Sequence, residues 1–208
     1  MLCGRVREPF DRPGWIFEVK WDGFRAIAEV DGGEVSLYSR RMNSLNGRFP
    51  DIVKSLQDLG RTAIVDGEIV ALDEEGHPRF EWLFHRGKGG KGQLVYFVFD
   101  LLYLDGNDLR REPLHRRKSR LKRIIRRIPH LIYVDHIEEH GKEFFALASK
   151  LGLEGIVGKD KRSVYVSGRE TRDWLKIKNP EFKRKEPVEL SSNGDDSDSG
   201  PYSAKELH

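Results

Sequence analysis

The alternation of apolar and polar residues predicts a chain built mainly of β-strands. Residues 15–20 alternate strictly enough to predict a half-buried strand that carries Glu18 and Lys20 on one face. The turn Asp22-Gly23 ends this strand. Further runs predict strands at residues 24–30, 34–39, 62–72, 94–102, 131–134, 154–159 and 174–178. Residues 1–14 contain two prolines and are expected to be an irregular lead-in.

Apolar residues at helical spacing predict helices at residues 50–59, 113–128 and 142–151, and one or two helical turns at 80–85. Gly60, Pro129 and Gly152 are placed to end the three helices. The second helix is strongly basic, and we expect its cations to cover the surface beside an apolar stripe. These are Arg116, Arg117, Lys118, Arg120, Lys122, Arg123, Arg126 and Arg127. Such a surface suits a phosphate backbone, and it is also typical of a solvated helix face.

Composition and charge narrow the class of protein. The 208 residues are 38% hydrophobic, which is enough for one sizeable core or two small ones. The net charge is +3, but residues 1–180 carry +6 and the remainder is acidic, which favours an anionic partner such as nucleic acid or a nucleotide. The single cysteine, Cys3, excludes an internal disulfide and a cysteine-based zinc site. We see no signal peptide and no apolar run long enough to cross a bilayer, and expect a soluble intracellular protein.

Lys20 is the candidate nucleophile, because it ends a strand and precedes an acid, a glycine and Arg25. An amine attacks phosphorus only when it is unprotonated, so the prediction requires nearby cations or burial to lower the pKa of Lys20. Lys176 and Lys178 share one face of the last predicted strand, which is favourable if an anion lies between them and also fits an edge strand in water.

Two other segments bear on the chemistry. The acids of Asp66-Gly67-Glu68 lie in an otherwise apolar strand, and they need a cationic partner unless the strand is bulged or at a sheet edge. The Gly- and Lys-rich residues 86–92 do not have P-loop spacing, and we expect a mobile hairpin connection there.

Six segments in order resemble the motifs of the covalent nucleotidyltransferases, the family of ATP-dependent DNA ligases, RNA ligases and mRNA capping enzymes. They are Lys20-Trp-Asp-Gly-Phe-Arg25, Ser39-Arg40 with Arg48-Phe49-Pro50, Asp66-Gly67-Glu68, Phe97-Val-Phe99-Asp100, Glu154-Gly-Ile-Val157 and Trp174-Leu-Lys-Ile-Lys178. Asn46 stands where the family pattern has a threonine. The closest likeness is to the ligase domain of bacterial DNA ligase D-type end-joining enzymes.

The resemblance implies an α+β fold, with mostly antiparallel sheets flanked by helices around a nucleotide cleft, as in ATP-grasp-like adenylation domains. We expect residues 1–182 to form this domain and residues 183–208 to be a disordered acidic tail. The implied reaction is attack of Lys20 on the α-phosphate of ATP, which gives a lysyl-AMP intermediate. AMP then passes to a DNA 5′-phosphate before strand joining.

The resemblance also implies a role for each motif residue. Those expected to bind the nucleotide are Glu18 and the Val19 backbone at the base edge, Phe99 stacked on adenine, Ile156 in the fourth motif, Arg25 and Glu68 at the ribose, Arg40 on the sugar–phosphate side, and Lys176 and Lys178 at the α-phosphate. Glu154 is expected to bind Mg²⁺ or Mn²⁺ through its carboxylate.

The implied partner is nicked or broken double-stranded DNA, in a prokaryotic cytoplasm at the nucleoid, with the protein acting as a monomer. Family ligases carry an oligonucleotide-binding (OB-fold) domain after the fifth motif, and here the chain runs into the acidic tail instead. We therefore expect slow self-adenylation and poor nick sealing unless an OB-fold domain or a repair protein completes the enzyme. The alternatives are an RNA ligase, a capping-type enzyme, and a non-catalytic nucleic-acid-binding module.

Overall fold

The computed structural model describes residues 1–84 and 90–184, which form two β-sheets and three α-helices. The strands are β1 (Leu2–Val6), β2 (Trp15–Val19), β3 (Phe24–Asp31), β4 (Glu34–Ser39), β5 (Ala63–Leu72), β6 (Gln93–Leu104), β7 (Asn107–Asp108), β8 (Leu131–Tyr133), β9 (Ile137–Glu138), β10 (Gly155–Asp160) and β11 (Glu170–Lys178). The helices are α1 (Pro50–Gln57), α2 (Leu114–Ile124) and α3 (Gly141–Lys150), and a 3₁₀ turn lies at Phe80–Leu83.

Sheet A has the strand order β1-β11-β10-β2-β9. Sheet B has the order β4-β3-β5-β6-β7, and β8 pairs with β6. The pairs β1–β11 and β6–β8 are parallel, and the other ladders are antiparallel. The predicted α+β class with mostly antiparallel sheets is confirmed.

Three of the four apolar clusters among the described residues join these layers. The largest joins the outer face of sheet B to α1 and α2 through residues such as Leu56 and Leu121. A second joins the outer face of sheet A to α3, where Phe17 and Ile156 lie beside Ala148. The third contains residues of both sheets, so the two sheets face each other across it. Burial of this apolar area is the main favourable term for the fold.

Several predicted boundaries need correction. The lead-in at residues 1–14 was predicted to be irregular, which is wrong, because β1 pairs there with β11. Helix α2 ends at Ile124 rather than 128, and Arg127 adopts a positive φ of 62° that a helix cannot contain. Strand β11 begins four residues before the prediction, at Glu170. The expected tail disorder, and most of the expected loop at 86–92, lie outside the described residues.

No helix among the described residues is both long and apolar enough to span a membrane.

Candidate active site

The inner face of sheet A presents its functional side chains in three rows. Strand register places Lys178 opposite Gly155, Lys176 opposite Val157, and Trp174 opposite Lys159. Alternate residues of a strand share one face and are about 7 Å apart. The outermost row lies at the strand ends that carry Lys178 and Gly155, and each further row lies about 7 Å along the strands from the one before.

The outermost row joins three predicted site residues. The Nζ of Lys20 donates a hydrogen bond to Oε2 of Glu154. The Nζ of Lys178 lies 3.1 Å from the other oxygen, Oε1. Lys20 and Glu154 are 134 residues apart in the sequence. The pairing of β2, β10 and β11 in one sheet brings them together. One buried carboxylate thus holds the candidate nucleophile beside a second cation.

Glycines allow these strands to approach so closely. Gly155 has a φ of +141°, and a Cβ there would lie 2.1 Å from the backbone oxygen of Ile177. At Gly23 a Cβ would lie 2.2 Å from the backbone oxygen of Ile69. Both distances are far below van der Waals contact, so a side chain at either position would force the backbone apart. Gly155, which follows Glu154, and Gly23, which follows Asp22, are therefore required by packing.

Glu18 occupies the next row and is bound by two buried lysines. Lys118 donates to its Oε1 at 2.5 Å, and Lys159 donates to its Oε2 at 2.5 Å. Burial disfavours the carboxylate, but the two ammonium groups outweigh burial and hold the pKa of Glu18 below its ordinary value. Burial lowers the pKa of Lys118, and Glu18 opposes that effect. The structure therefore keeps Glu18 charged and fixed in orientation.

Phe99 lies beside this cluster, among cations. The Nζ of Lys159 is 4.3 Å from the centroid of the Phe99 ring and 4.0 Å from that of Trp174. The guanidinium of Arg25 is 5.6 Å from the Phe99 centroid. These distances are within the range of cation–π attraction. Phe97, two residues away, stacks parallel to Trp21 with centroids 3.9 Å apart.

Sheet B contributes Arg25, Asp66 and Glu68. Arg25 binds Asp66 through two hydrogen bonds of 3.1 and 2.7 Å, and the Tyr165 hydroxyl donates to the same carboxylate at 2.8 Å. The predicted cationic partner for this acid is thus present. Glu68 lies opposite Arg25 in the register, and burial raises its pKa to about 8, although Lys20 and Arg25 partly oppose the shift.

Two predicted site residues, Ile156 and Arg40, do not join this group. Ile156 is fully buried against Phe17 under α3, on the opposite face of sheet A, and Val157 takes the inner face instead. Val19 was expected to contribute its backbone, which stays a prediction; its half-buried side chain lies opposite Ile156 in the register and shares that outer face. Arg40 follows β4, is exposed, and forms no ion pair within residues 1–84 and 90–184.

The prediction that all the cations of α2 lie on its surface is wrong for Arg117 and Lys118. Both are buried. Arg117 binds Asp100 through hydrogen bonds of 2.8 and 2.9 Å, and both side chains have no exposed area. A signal was available in the sequence, because both positions fall between Leu114 and Leu121 at helical spacing. The lone charge of Asp100 in an apolar strand also called for a cation.

Asp22 was quoted within the first motif, and the structure gives it a partner outside the cleft. Arg184 donates to both oxygens of its carboxylate, and the guanidinium of Arg184 lies 3.9 Å from the centroid of Phe80. Burial raises the pKa of Asp22, and Arg184 opposes this. A cavity of about 340 Å³ lies beside this pair, between the end of α3 and residues 179–184. Asp22 thus ties the turn after Lys20 to the segment that follows β11.

Comparison with known proteins gives consistent matches. Residues 1–178 match the family model of the ATP dependent DNA ligase domain. The chain is 38% identical over 181 residues to the multifunctional non-homologous end joining protein LigD of Pseudomonas aeruginosa, which covers 85% of this chain and 21% of that protein. It is 32% identical over 184 residues to the SPbeta prophage-derived DNA ligase-like protein LigB of Bacillus subtilis, with 88% of this chain and 67% of that protein covered.

A solved structure agrees with these relatives. The mycobacterial DNA ligase D complexed with ATP and MES superposes with a TM-score of 0.75 at 31% sequence identity, over 86% of this chain and 59% of that one. The chain spans about a fifth of the length of the Pseudomonas protein.

Proposed function

We propose a reaction for this chain, which belongs to the ATP-dependent DNA ligase family. In this reaction Lys20 receives AMP from ATP and passes it to DNA. The observation that carries the proposal is the contact of Lys20 and Lys178 with the single carboxylate of Glu154. The carboxylate lies between the two ammonium groups, so the Lys20 amine is fixed in the outermost row of the cleft beside a second cation that can bind a phosphate. The family model is that of DNA ligases, which favours DNA over the RNA-ligase and capping alternatives.

In the first step the neutral amine of Lys20 attacks the α-phosphorus of ATP. The N–P bond forms as the bond from that phosphorus to the bridging oxygen of pyrophosphate breaks, and the nitrogen releases one proton to solvent and keeps the other in the phosphoramidate. Lys178 and Lys176 lie on the same strand face, where their charges stabilise the negative charge on the phosphate oxygens. In the later steps AMP moves to a DNA 5′-phosphate, and a 3′-hydroxyl displaces it.

The inner rows fit the nucleoside. A row spacing of about 7 Å is close to the length of a nucleoside, so a phosphate at Lys20 brings the base to the level of Glu18 and Phe99. The ring of Phe99 offers a stacking surface, and the fixed carboxylate of Glu18 accepts hydrogen bonds from a base edge. Arg25 and Glu68, on the facing sheet, are assigned to the ribose.

Glu154 fits the divalent cation that the family uses. Its carboxylate offers two hard oxygens, which suit Mg²⁺ or Mn²⁺. Both oxygens contact ammonium groups, which supports a role in binding positive charge. A cation bound there would neutralise charge on the triphosphate and polarise its P–O bonds.

The DNA substrate and the biological setting belong to the same proposal. Relatives such as the Pseudomonas protein are named for non-homologous end joining, and we assign this chain to the joining of nicked or broken DNA in repair. The expected completion by an OB-fold domain or a repair partner, and action as a monomer in the bacterial cytoplasm, remain predictions.

Incubation of the full chain with ATP labelled at the α-phosphate, followed by denaturing electrophoresis, tests the proposal. The wild type should acquire a covalent label that is lost on addition of pyrophosphate, because pyrophosphate reverses the step. Lys20→Ala should acquire none.

A matched control is Lys150→Ala, which removes an exposed lysine at the end of α3 and should label like the wild type. Equal labelling of Lys20→Ala and Lys150→Ala would refute the assignment of Lys20.

A further inference from the structure

Helix α2 carries cations on two opposite sides. Its inner side buries Leu114, Lys118 and Leu121, and Lys118 reaches Glu18 in the cleft. The outer side carries Arg116, Arg120 and Arg123, which are all exposed. We call these three residues the α2 arginine stripe.

The stripe is a regular array. Its members are four and three residues apart, so at 3.6 residues per turn they lie within about 60° of one another around the helix axis. At about 1.5 Å of rise per residue, they cover roughly 10 Å along that axis. Leu114, Lys118 and Leu121 point to the opposite side by the same spacing, so the stripe faces away from the core.

The charges of this side are poorly matched within the protein. Arg120 pairs with Glu112 at 3.2 Å, and Lys122 pairs with the exposed Asp135 at 3.3 Å. Arg116 and Arg123 form no ion pair within the described parts of the chain, and the same holds for their exposed neighbours Arg126 and Arg127. Like charges three or four residues apart destabilise a helix by mutual repulsion. An anionic partner bound to the stripe would remove this repulsion.

The chemistry of the stripe fits a phosphate backbone. Guanidinium groups bind phosphate oxygens through paired hydrogen bonds, and they are always charged. Each strand of B-DNA presents a phosphate about every 3.4 Å along the axis, so a 10 Å array spans roughly three phosphates. The flanking Arg126 and Arg127 extend the positive field beyond the stripe.

We propose that the α2 arginine stripe binds the phosphate backbone of duplex DNA, as a surface separate from the nucleotide cleft. The inference rests on the proposed function, because it supplies the DNA contact that strand joining requires. Within residues 1–84 and 90–184 no hydrogen bond or ion pair joins the stripe to a cleft residue, whereas the inner side of the same helix binds Glu18 through Lys118. Loss of the stripe therefore weakens DNA binding and leaves the reaction with ATP intact.

The test compares two triple variants of the full chain with equal change of net charge. Arg116→Gln/Arg120→Gln/Arg123→Gln removes the stripe, and glutamine and arginine have similar helix propensity, so α2 is retained. Lys54→Gln/Lys142→Gln/Lys150→Gln removes three exposed lysines from α1 and α3. Fluorescence anisotropy with a nicked DNA duplex, from 50 to 200 mM salt, gives the binding constant and its salt dependence.

We expect the stripe variant to bind about tenfold or more weakly at 100 mM salt. The slope of log Kobs against log salt should shrink by about 2 to 3, since each lost phosphate contact removes about 0.9. The lysine variant should lose less than one unit of slope. Both should label with ATP alone as the wild type does.

Equal binding by the stripe variant and the lysine variant overturns the inference, as does a wild type whose DNA binding does not depend on salt. The proposed function fails in a different way, namely if the wild type never acquires a covalent label from ATP, so the two failures can be told apart.

Discussion

The buried pair of Arg117 and Asp100 gives a prediction whose size follows from the contacts. Arg117→Met removes two hydrogen bonds to the Asp100 carboxylate and two to the backbone oxygens of Glu112 and Ser163. Among the described residues, the Asp100 carboxylate then keeps only the bond from the backbone N–H of Leu101, in a position with no exposed area. Leaving a buried charge without its partner costs about 3–5 kcal/mol.

The change is measurable by urea and thermal unfolding. For a domain of this size a loss of about 4 kcal/mol lowers Tm by about 10 °C. The double variant Asp100→Leu/Arg117→Met removes both charges, and should be at least about 1 kcal/mol more stable than Arg117→Met alone. Lys122→Met is the control, because its partner Asp135 is 70% exposed and an exposed pair is worth about 1 kcal/mol or less. A loss for Arg117→Met no greater than for Lys122→Met would refute the reasoning.

Three further predictions concern the cleft. Glu68 has a folded pKa of about 8 against an ordinary value of 4.5, so the folded state binds this proton more tightly and loses stability as pH rises through that window. We therefore expect the free energy of unfolding of Glu68→Gln, measured with urea and without nucleotide, to rise relative to that of the wild type by at least about 1 kcal/mol from pH 5 to pH 8.5. A difference in unfolding free energy that does not change with pH would contradict this. Lys118→Met leaves Glu18 with one ammonium partner, so we expect it to lower the free energy of unfolding by about 1–3 kcal/mol, less than Arg117→Met does. An equal or larger loss than that of Arg117→Met would contradict this ranking. Gly155→Ala should cost about 3 kcal/mol or more and abolish labelling, because its Cβ meets backbone, whereas Gly152→Ala, with a positive φ but open space, should cost about 1 kcal/mol and still label.

Most strands and all three helices were predictable, because their periodicity reflects one buried face. The short strands that depend on pairing with distant parts of the chain were not predictable. Strand β1 is only five residues long and is held by its register with β11, a contact between the two ends of the described chain. Single-sequence periodicity carries no information on such distant pairing.

The candidate site was predictable as a set of motifs, and less so as a set of contacts. Lys178 shares the Glu154 carboxylate with Lys20, so one of the two cations expected near the nucleophile lies beside it, and the role of Lys176 stays a prediction. The two lysines that bind Glu18, Lys118 on α2 and Lys159 on β10, were missed, because lysine is ordinarily solvated and is almost never fully buried unless it is paired. Ile156 was assigned to the nucleotide by motif, but strand alternation turns it toward α3.

The central claim is that one lysine amine, placed beside Glu154 and Lys178 by the folding of sheet A, forms the bond to AMP. Mass spectrometric peptide mapping after incubation with ATP and Mg²⁺ tests it most directly, because it locates the modified side chain. The account predicts a single adenylyl group on Lys20. An adenylyl group on Lys159, Lys176 or Lys178 in place of Lys20, or none on any lysine, would contradict it.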